Sequence, residues 1–374
     1  MPITVASALI PEAPVGAWHQ RKMFYANKLW WLIYADGSDQ VYKTSSDNGY
    51  SWGVAQTFIA GLGGGGPNAS IWFDGTYIHY ARCVSVGGDI YYRRGTPESD
   101  GTITWSAAEQ TVETFAGAPG ADYVAIAVDS NGYPWIGYMY YDGTDWFPYV
   151  TKSSTNDGTW TTDAGFPYQL NATGVAWASF PVATPIPLTG GKVYIVYGWV
   201  GITVRGALWD GVAMGAEETA STSTIVGGAH VISAVADGDD LYLVFITVTA
   251  TARKTLFLTR TDSTWSSEEQ IGSDDTTKTI SASVLGIDDK GRLYCVVATR
   301  NANKIDVWRR WGTTWINTFS VENETDARWN SVVRTQYTRQ IPFVWRIKEN
   351  GTYSVRFSYM QIPRPETNVS SSSF

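Results

Sequence analysis

Nine residues, grouped at intervals of roughly fifty positions, combine large rings with polar groups that bind hydroxyls. They are Trp18, His19, Asn68, Asp122, Tyr123, Trp177, His230, Arg328 and Trp329. Sugar rings stack their C–H faces on Trp and Tyr, while Asp, Asn and Arg exchange hydrogen bonds with hydroxyl groups. These residue types predict a glycan-binding site if the fold brings them together. The alternative is that the same rings fill an internal channel.

Residues suited to acid–base chemistry are few. The chain has three histidines, and His79 lies in the run 77–82, which ends with Arg82 and is expected to form one strand. A base beside a cation could remove a proton next to a carboxylate, but strand alternation puts these two side chains on opposite faces. His79 is therefore expected to be structural. Because no HExxH, paired Cys/His or calcium-loop pattern occurs, the sequence predicts no metal and no cofactor.

The composition indicates an all-β protein. The 374 residues include 18 Trp, 22 Tyr, 13 Phe and 37 Gly, and only 17% are charged, which is typical of strands and tight turns. The net charge is −8 and no Lys/Arg cluster exceeds two neighbours, so nucleic acid is not an expected partner. No apolar run is long enough for membrane insertion. The two cysteines, Cys83 and Cys295, are expected to be small buried hydrophobes, and a disulfide between them is the alternative.

A repeated turn organises the chain into blades. Residues 45–52 read Ser-Ser-Asp-Asn-Gly-Tyr-Ser-Trp, and weaker copies follow at 100–105, 157–160, 261–265 and 312–315. A fixed period of this length is the signature of a propeller. Seven apolar runs match the buried second strands of seven blades: 29–34, 77–81, 134–138, 193–197, 241–245, 293–297 and 341–345. Six blades are the alternative if repeat four or seven is misread.

The last repeat stops after its third strand, near residue 362, while a spare apolar segment, 3–10, precedes the first repeat. We expect this N-terminal segment to supply the missing outer strand of blade seven, because pairing there removes an exposed sheet edge. The predicted organisation is a single seven-bladed β-propeller over residues 1–363, followed by a flexible C-terminal tail over 364–374.

The pattern Ser45-x-Asp47-x-Gly49-x-Ser51-Trp52 resembles the Asp-box, or BNR repeat, of the sialidase-like propellers. The resemblance implies that this turn joins the third and fourth strands of a blade, on the face away from the active site, and is structural. A sialidase would also need three arginines clamping a carboxylate, a Tyr–Glu pair and an acid/base Asp. Arg21 lies roughly where the first arginine is expected but lacks the following Ile-Pro, and Asp36, Arg82, Arg328 and Arg334 occur in no recognisable motif.

In a propeller, the segments that enter the innermost strands converge around one end of the central opening. The nine residues named above lie in these segments, and the loops between second and third strands open on the same face. Loops on a rigid scaffold are where recognition is usually found. The sequence therefore predicts a binding site at this end of the channel, which we call the mouth.

The function that these features favour is recognition, without catalysis, of a glycan or a partner protein at the mouth. The rival is a carbohydrate-active enzyme, either a sialidase-like glycoside hydrolase or a polysaccharide lyase, using the same mouth. No secretory signal is visible at residues 1–4, and an extracellular surface or a virion is the expected location. Assembly into a homo-oligomer or a larger structure is compatible with this role.

Overall fold

The computed structural model is a ring of seven antiparallel β-sheets, a seven-bladed β-propeller. It describes residues 2–9, 14–16, 20–63, 68–84, 88–116, 120–225, 232–249, 251–277, 280–300, 302–324, 326–332, 335–336 and 340–361. The predicted tail, 364–374, lies outside these residues. The prediction of an all-β chain with seven blades is confirmed.

Each blade is built from four main strands, numbered in chain order. The first strand is Ile3–Leu9 (β1). Blade one contains Met23–Ala26 (β2), Leu29–Ala35 (β3), Gln40–Ser45 (β4) and Gln56–Ile59 (β5), and blade two contains Ala69–Phe73 (β6), Ile78–Cys83 (β7), Ile90–Pro97 (β8), Ile103–Trp105 (β9) and Gln110–Glu113 (β10). Blade three contains Gly120–Val128 (β11), Pro134–Tyr141 (β12), Trp146–Lys152 (β13) and Tyr168–Gln169 (β14), and blade four contains Val182–Pro187 (β15), Val193–Gly198 (β16), Thr203–Trp209 (β17) and Glu218–Thr224 (β18). Blade five contains Ile232–Asp237 (β19), Asp240–Val248 (β20), Arg253–Thr261 (β21), Thr264–Trp265 (β22) and Glu269–Asp275 (β23). Blade six contains Ile280–Asp288 (β24), Leu293–Thr299 (β25), Lys304–Trp311 (β26) and Thr314–Val321 (β27), with the short strand Thr335–Gln336 (β29) at its edge. Blade seven contains Arg328–Val332 (β28), Gln340–Glu349 (β30) and Thr352–Gln361 (β31), together with β1.

All seven apolar runs predicted as second strands fall in second strands: β3, β7, β12, β16, β20, β25 and β30. These strands are apolar on both faces because neighbouring blades cover both sides, and strands β12, β16 and β25 are buried over most of their length. The ring closes as expected. Strand β1 pairs with β31 in antiparallel register from Ile3 opposite Phe357 to Leu9 opposite Tyr353, which covers the outer edge of blade seven.

A tryptophan near the third-to-fourth-strand turn anchors each of six blades on the preceding blade. Trp52 is the last residue of the repeated turn at residues 45–52, which we call the octet, and it packs edge-on against Phe357 of blade seven, with ring centroids 5.3 Å apart. Blade four lacks the repeated Trp, and Trp209 of β17 takes its place against Trp135 of blade three at 5.6 Å. The other pairs, each separated by 5.1 to 5.8 Å, are Trp105 on Phe58, Trp160 on Tyr92, Trp265 on Tyr194 and Trp315 on Phe257.

The octet turn has the hydrogen bonds that its residue types suggest. Asp47 accepts the Ser51 amide at 2.9 Å and its hydroxyl at 2.6 Å, and the Ser45 hydroxyl accepts the Gly49 amide at 2.8 Å. Gly49 has a φ of 83°, and a Cβ there would lie 2.1 Å from the Phe357 ring. The turn joins β4 to β5, as predicted, and its role is to fix the contact between blades one and seven.

The helical segments whose bounds lie within the described residues are short 3-10 turns, Trp177–Ser179 and Thr189–Gly191. None of the described helical segments could span a membrane. Both cysteines are buried and free, in blades two and six.

Candidate functional site

The structure describes part of the predicted site. Trp18, His19 and His230 lie outside the described residues, and for Trp177 and Trp329 the backbone alone is described. The remaining four predicted residues share one end of the ring. Asn68 precedes β6, Asp122 and Tyr123 lie near the start of β11, and Arg328 begins β28. All four lie where the chain enters an innermost strand, which is the predicted mouth.

Asn68, Asp122 and Tyr123 come together at the junction of blades two and three. The Cys83 thiol lies 3.8 Å from the Asn68 carbonyl oxygen and 4.0 Å from an Asp122 carboxylate oxygen. Asp122 is 1% exposed and accepts the amide N–H of Tyr123 at 2.9 Å. Burial, aided by the Asp122 charge, raises the pKa of Cys83, so the thiol acts as a neutral packing group.

Tyr123 sits on a β-bulge in an unfavourable backbone conformation. The register between β11 and β12 shifts after Asp122, and Tyr123 has a φ of 52°. Phe180, at the entrance to the next blade, has a φ of 50°. Left-handed backbone at a bulky residue costs about 1 to 3 kcal/mol and concentrates at binding and catalytic sites. The two strained residues contact each other, with ring centroids 5.4 Å apart and an edge-to-face angle of 74°.

More aromatic rings extend this pair along the rim of blade three. Tyr123 and Phe180 belong to a cluster with Met139 and Trp146. Tyr141 stacks on Trp146 at 4.9 Å and is half-buried. The entrance to blades three and four is therefore an aromatic surface, which we call the aromatic rim. The backbone of Trp177 lies three residues before Phe180, in a 3-10 turn.

At the junction of blades six and seven, three arginines surround one carboxylate. The side chain of Asp326 lies 2.5 Å from Arg300 Nε, 3.0 Å from Arg328 Nε and 2.7 Å from Arg346 Nη1. Although burial alone would raise the pKa of Asp326, the hydrogen bond from Arg346 and the three nearby positive charges lower it below its usual range. Arg346 is fully buried, whereas Arg300 is 50% exposed. The predicted residue Arg328 is thus held in an internal ion-pair network at the mouth.

Three consecutive residues before β2 cross the central channel, and we call them the axial triplet. Gln20 donates to the Val124 carbonyl of blade three at 2.7 Å, and Lys22 donates to the Ala69 carbonyl of blade two. Arg21 donates to Ala234 of blade five at 3.2 Å and to Val332 of blade seven at 3.4 Å. The three side chains therefore tie blade one to four other blades and separate the mouth from the rest of the channel.

The protonation states of the buried groups are set mainly by desolvation. Burial lowers the pKa of Lys22 to about 7. Burial and the Asp122 charge raise the pKa of Tyr123, which keeps its hydroxyl protonated at neutral pH. His79 lies away from the mouth, with Nδ1 2.9 Å from the Tyr92 hydroxyl and Nε2 2.9 Å from Asp74, as expected for a structural histidine. Among the described residues, no group of three or more His, Cys, Asp or Glu could hold a metal ion.

Several residues of this site were missed by sequence reasoning. Phe180 is followed by a proline and reads as part of a loop, so nothing in its neighbourhood signals a left-handed backbone. Asp326 comes shortly before the predicted residue Arg328, and this spacing was the one signal for an ion pair. Cys83 was expected only as a core residue, and Gln20 and Lys22 resemble an ordinary polar segment before a strand.

No protein-family model matches the chain, and no curated protein sequence matches it. Its fold is similar to that of solved structures at low sequence identity. Polysaccharide lyase Uly1 is 9% identical with a TM-score of 0.54, over 97% of this chain and 99% of that chain. A protein of unknown function from Dyadobacter fermentans is 10% identical with a TM-score of 0.50, over 97% and 99%.

A Trypanosoma rangeli sialidase solved with the inhibitor DANA is 12% identical with a TM-score of 0.51; the alignment covers 96% of this chain and 59% of that one. The chain thus spans about three fifths of the length of that sialidase. At such low identity the likeness concerns the fold. The chain therefore shares its overall fold, in this case a seven-bladed β-propeller, with a sialidase and a polysaccharide lyase.

Proposed function

We propose that this propeller recognises a glycan at its mouth and does not modify it. The observation that carries the proposal is the strained pair of aromatic residues, Tyr123 and Phe180, at the entrance to blades three and four. Strain of this kind persists only where the surrounding structure enforces it. A β-bulge at Tyr123 also re-aims the side chain, as bulges beside binding sites do.

The aromatic rim has the composition of a carbohydrate site. Tyr141 and Phe180 are half-buried, so each ring keeps part of its surface for a ligand. Stacking of a sugar ring on such surfaces removes apolar C–H groups from water. Asn68, which is half-buried beside Asp122, adds an amide that can both donate and accept hydrogen bonds. Trp177 and Trp329 remain part of the proposed site because their backbones lie at the mouth.

Recognition without catalysis is favoured over the enzyme alternative by the protonation of the described groups. A lyase would need a base at the mouth, but the raised pKa of Tyr123 opposes loss of its proton. Asp326 is engaged by three arginines, and its lowered pKa opposes a role as general acid. A sialidase or a polysaccharide lyase shares the fold but would need a group of suitable pKa at this position.

The ligand class implies where the protein acts. Glycans are displayed on cell surfaces and in extracellular matrices, so we place this recognition on an extracellular surface or a virion. A glycosylated partner protein would present the same chemistry to the mouth. A homo-oligomer would add avidity to a weak single site.

A glycan array tests the proposal with four proteins: wild type, Phe180→Ala, the double variant Trp177→Ala/Trp329→Ala, and Trp311→Ala as the matched control. Trp311 is 62% exposed and is the last residue of β26, at the end of the ring opposite the mouth. We expect wild type and control to bind the same glycan and both mouth variants to lose it. Equal binding by all four proteins would refute a site at the mouth. Incubation of each hit with wild type, followed by mass spectrometry, should return the glycan unchanged, and cleavage would establish the enzyme alternative.

A further inference from the structure

A second cavity lies on the channel axis, at the end away from the mouth. Its volume is about 410 Å³, within the range of small-molecule sites. It is lined by the far ends of the innermost strands of blades one to five and by the turns that follow them. Arg21 lines its inner end, where its guanidinium binds the carbonyl of Ala234. The axial triplet therefore separates this rear cavity from the mouth.

The wall of the rear cavity is aromatic. Phe24 and Phe73 stack with their centroids 4.9 Å apart, and Tyr25 and Trp72 also line the cavity. Phe73 and Tyr25 are half-buried. These rings offer flat apolar surface next to polar groups, an arrangement that binds ligands with one apolar face and several polar substituents.

Three turns that line the cavity contain glycines with left-handed backbones. A Cβ added to Gly75, Gly190 or Gly238 would meet no other atom within 4 Å. These three residues line the cavity. The space beside these three turns is therefore open.

Two carboxylates, from Asp74 and Asp129, stand at the rim. Each accepts two backbone N–H groups of its own turn and lies within 3.0 Å of one ring nitrogen, from His79 and Trp135 respectively. A carboxylate has about four acceptor positions, so each can accept one further hydrogen bond from a ligand hydroxyl. The sequence motif behind this arrangement is an Asp at the end of an innermost strand, followed five or six residues later by a ring that donates to it.

The charges of the cavity select the class of ligand. An anion would be attracted by Arg21 at the inner end but repelled by the two rim carboxylates. A cation would be attracted by the carboxylates but repelled by Arg21. A neutral molecule with many hydroxyls can accept from a guanidinium, donate to carboxylates and stack on the aromatic wall at once. We propose that the rear cavity is a second binding site, independent of the mouth, for a neutral monosaccharide or a polyol of similar size.

The test uses saturation-transfer NMR and calorimetry on the full chain, with D-glucose, D-galactose and N-acetyl-D-glucosamine as neutral probes and D-glucuronate as the charged probe. The blocking variant is Ala236→Trp, which places a large ring in the cavity, and its matched control is Ala236→Ser. Arg21→Met removes the donor at the inner end. Thermal unfolding confirms that each variant is folded.

We expect at least one neutral sugar to bind with a Kd of about 1 mM, and Ala236→Trp to weaken it by about tenfold or more. Ala236→Ser should bind as wild type does. The mouth variant Phe180→Ala should also retain binding, and its loss would assign the sugar to the mouth and overturn the proposal. Absence of binding by every neutral probe, tighter binding of D-glucuronate, or unchanged binding in Ala236→Trp would each overturn it as well. A failure of Arg21→Met to fold leaves the Ala236 pair as the deciding comparison.

Discussion

Replacement of the buried lysine of the axial triplet should give a stability change that depends on pH. Lys22 is fully buried, and burial lowers its pKa from 10.5 to about 7. Between these values the unfolded chain holds a proton that the folded chain releases. The free energy of unfolding therefore rises with pH across this window, by about 1.4 kcal/mol per unit. Below pH 7 the folded protein carries the full cost of the buried amine, about 5 kcal/mol.

The variant Lys22→Met has no proton to release and should lose this slope. It also loses the hydrogen bond to the Ala69 carbonyl, worth about 1 kcal/mol. At pH 7 we expect Lys22→Met to be more stable than wild type by about 4 kcal/mol. Near the pKa that the lysine has in the unfolded chain, wild type should be the more stable of the two. Urea unfolding at several values between pH 7 and 10 measures the difference. The exposed-lysine control is Lys290→Met, whose side chain is 70% exposed. Parallel pH profiles for wild type and Lys22→Met would refute the desolvation argument.

Three further substitutions test two contacts between neighbouring blades and one ion-pair network at the mouth. Gly49→Ala should destabilise the protein by about 2 kcal/mol or more, because its Cβ would lie 2.1 Å from the Phe357 ring and its backbone is left-handed. The control Gly53→Ala, whose Cβ would lie 3.6 Å from the nearest atom, should change the melting temperature little. Trp209→Ala should cost about 3 kcal/mol in chemical unfolding, as the only described aromatic anchor of blade four on blade three at that turn is lost. Asp326→Asn should lower the free energy of unfolding by about 2 kcal/mol at pH 7. The difference from wild type should vanish as the pH falls through the lowered pKa of Asp326, because the wild-type carboxylate is then protonated. A difference that persists at low pH would contradict the ion-pair interpretation.

The fold was predictable because its signals are local and repeated. Each second strand is a short apolar run between turn residues, and the octet carries the residue types that its own hydrogen bonds need. The pairing of β1 with β31 is a long-range contact, yet it followed from counting strands in the last repeat. Blade four shows the limit of the repeat pattern, because Trp209 supplies the anchor from the strand before the turn.

The site was predictable only in part, because its decisive features depend on the closed ring. Asn68, Asp122 and Tyr123 meet because two successive segments enter the innermost strands of neighbouring blades, which the repeat spacing implies. The left-handed backbone of Phe180 has no counterpart in residue type. The burial of Lys22 likewise arises only when the surrounding blades enclose the segment that contains it.

The division of the channel into two compartments gives the protein two ends with different chemistry. The mouth has strained aromatic rings on one side and a network of arginines on the other. Among the described residues that line the rear cavity are aromatic rings, the cation Arg21 and two rim carboxylates. Since the axial triplet ties five blades together, ligand binding at either end is expected to stabilise the whole ring by mass action.

The central claim is that a glycan binds at the mouth. The most direct measurement is calorimetric titration of an array-selected glycan into wild type, Phe180→Ala and the opposite-face control Trp311→Ala. We predict equal affinity for wild type and Trp311→Ala, and a loss of about tenfold or more for Phe180→Ala, equivalent to about 1.4 kcal/mol. Equal affinity in Phe180→Ala and wild type would contradict the claim.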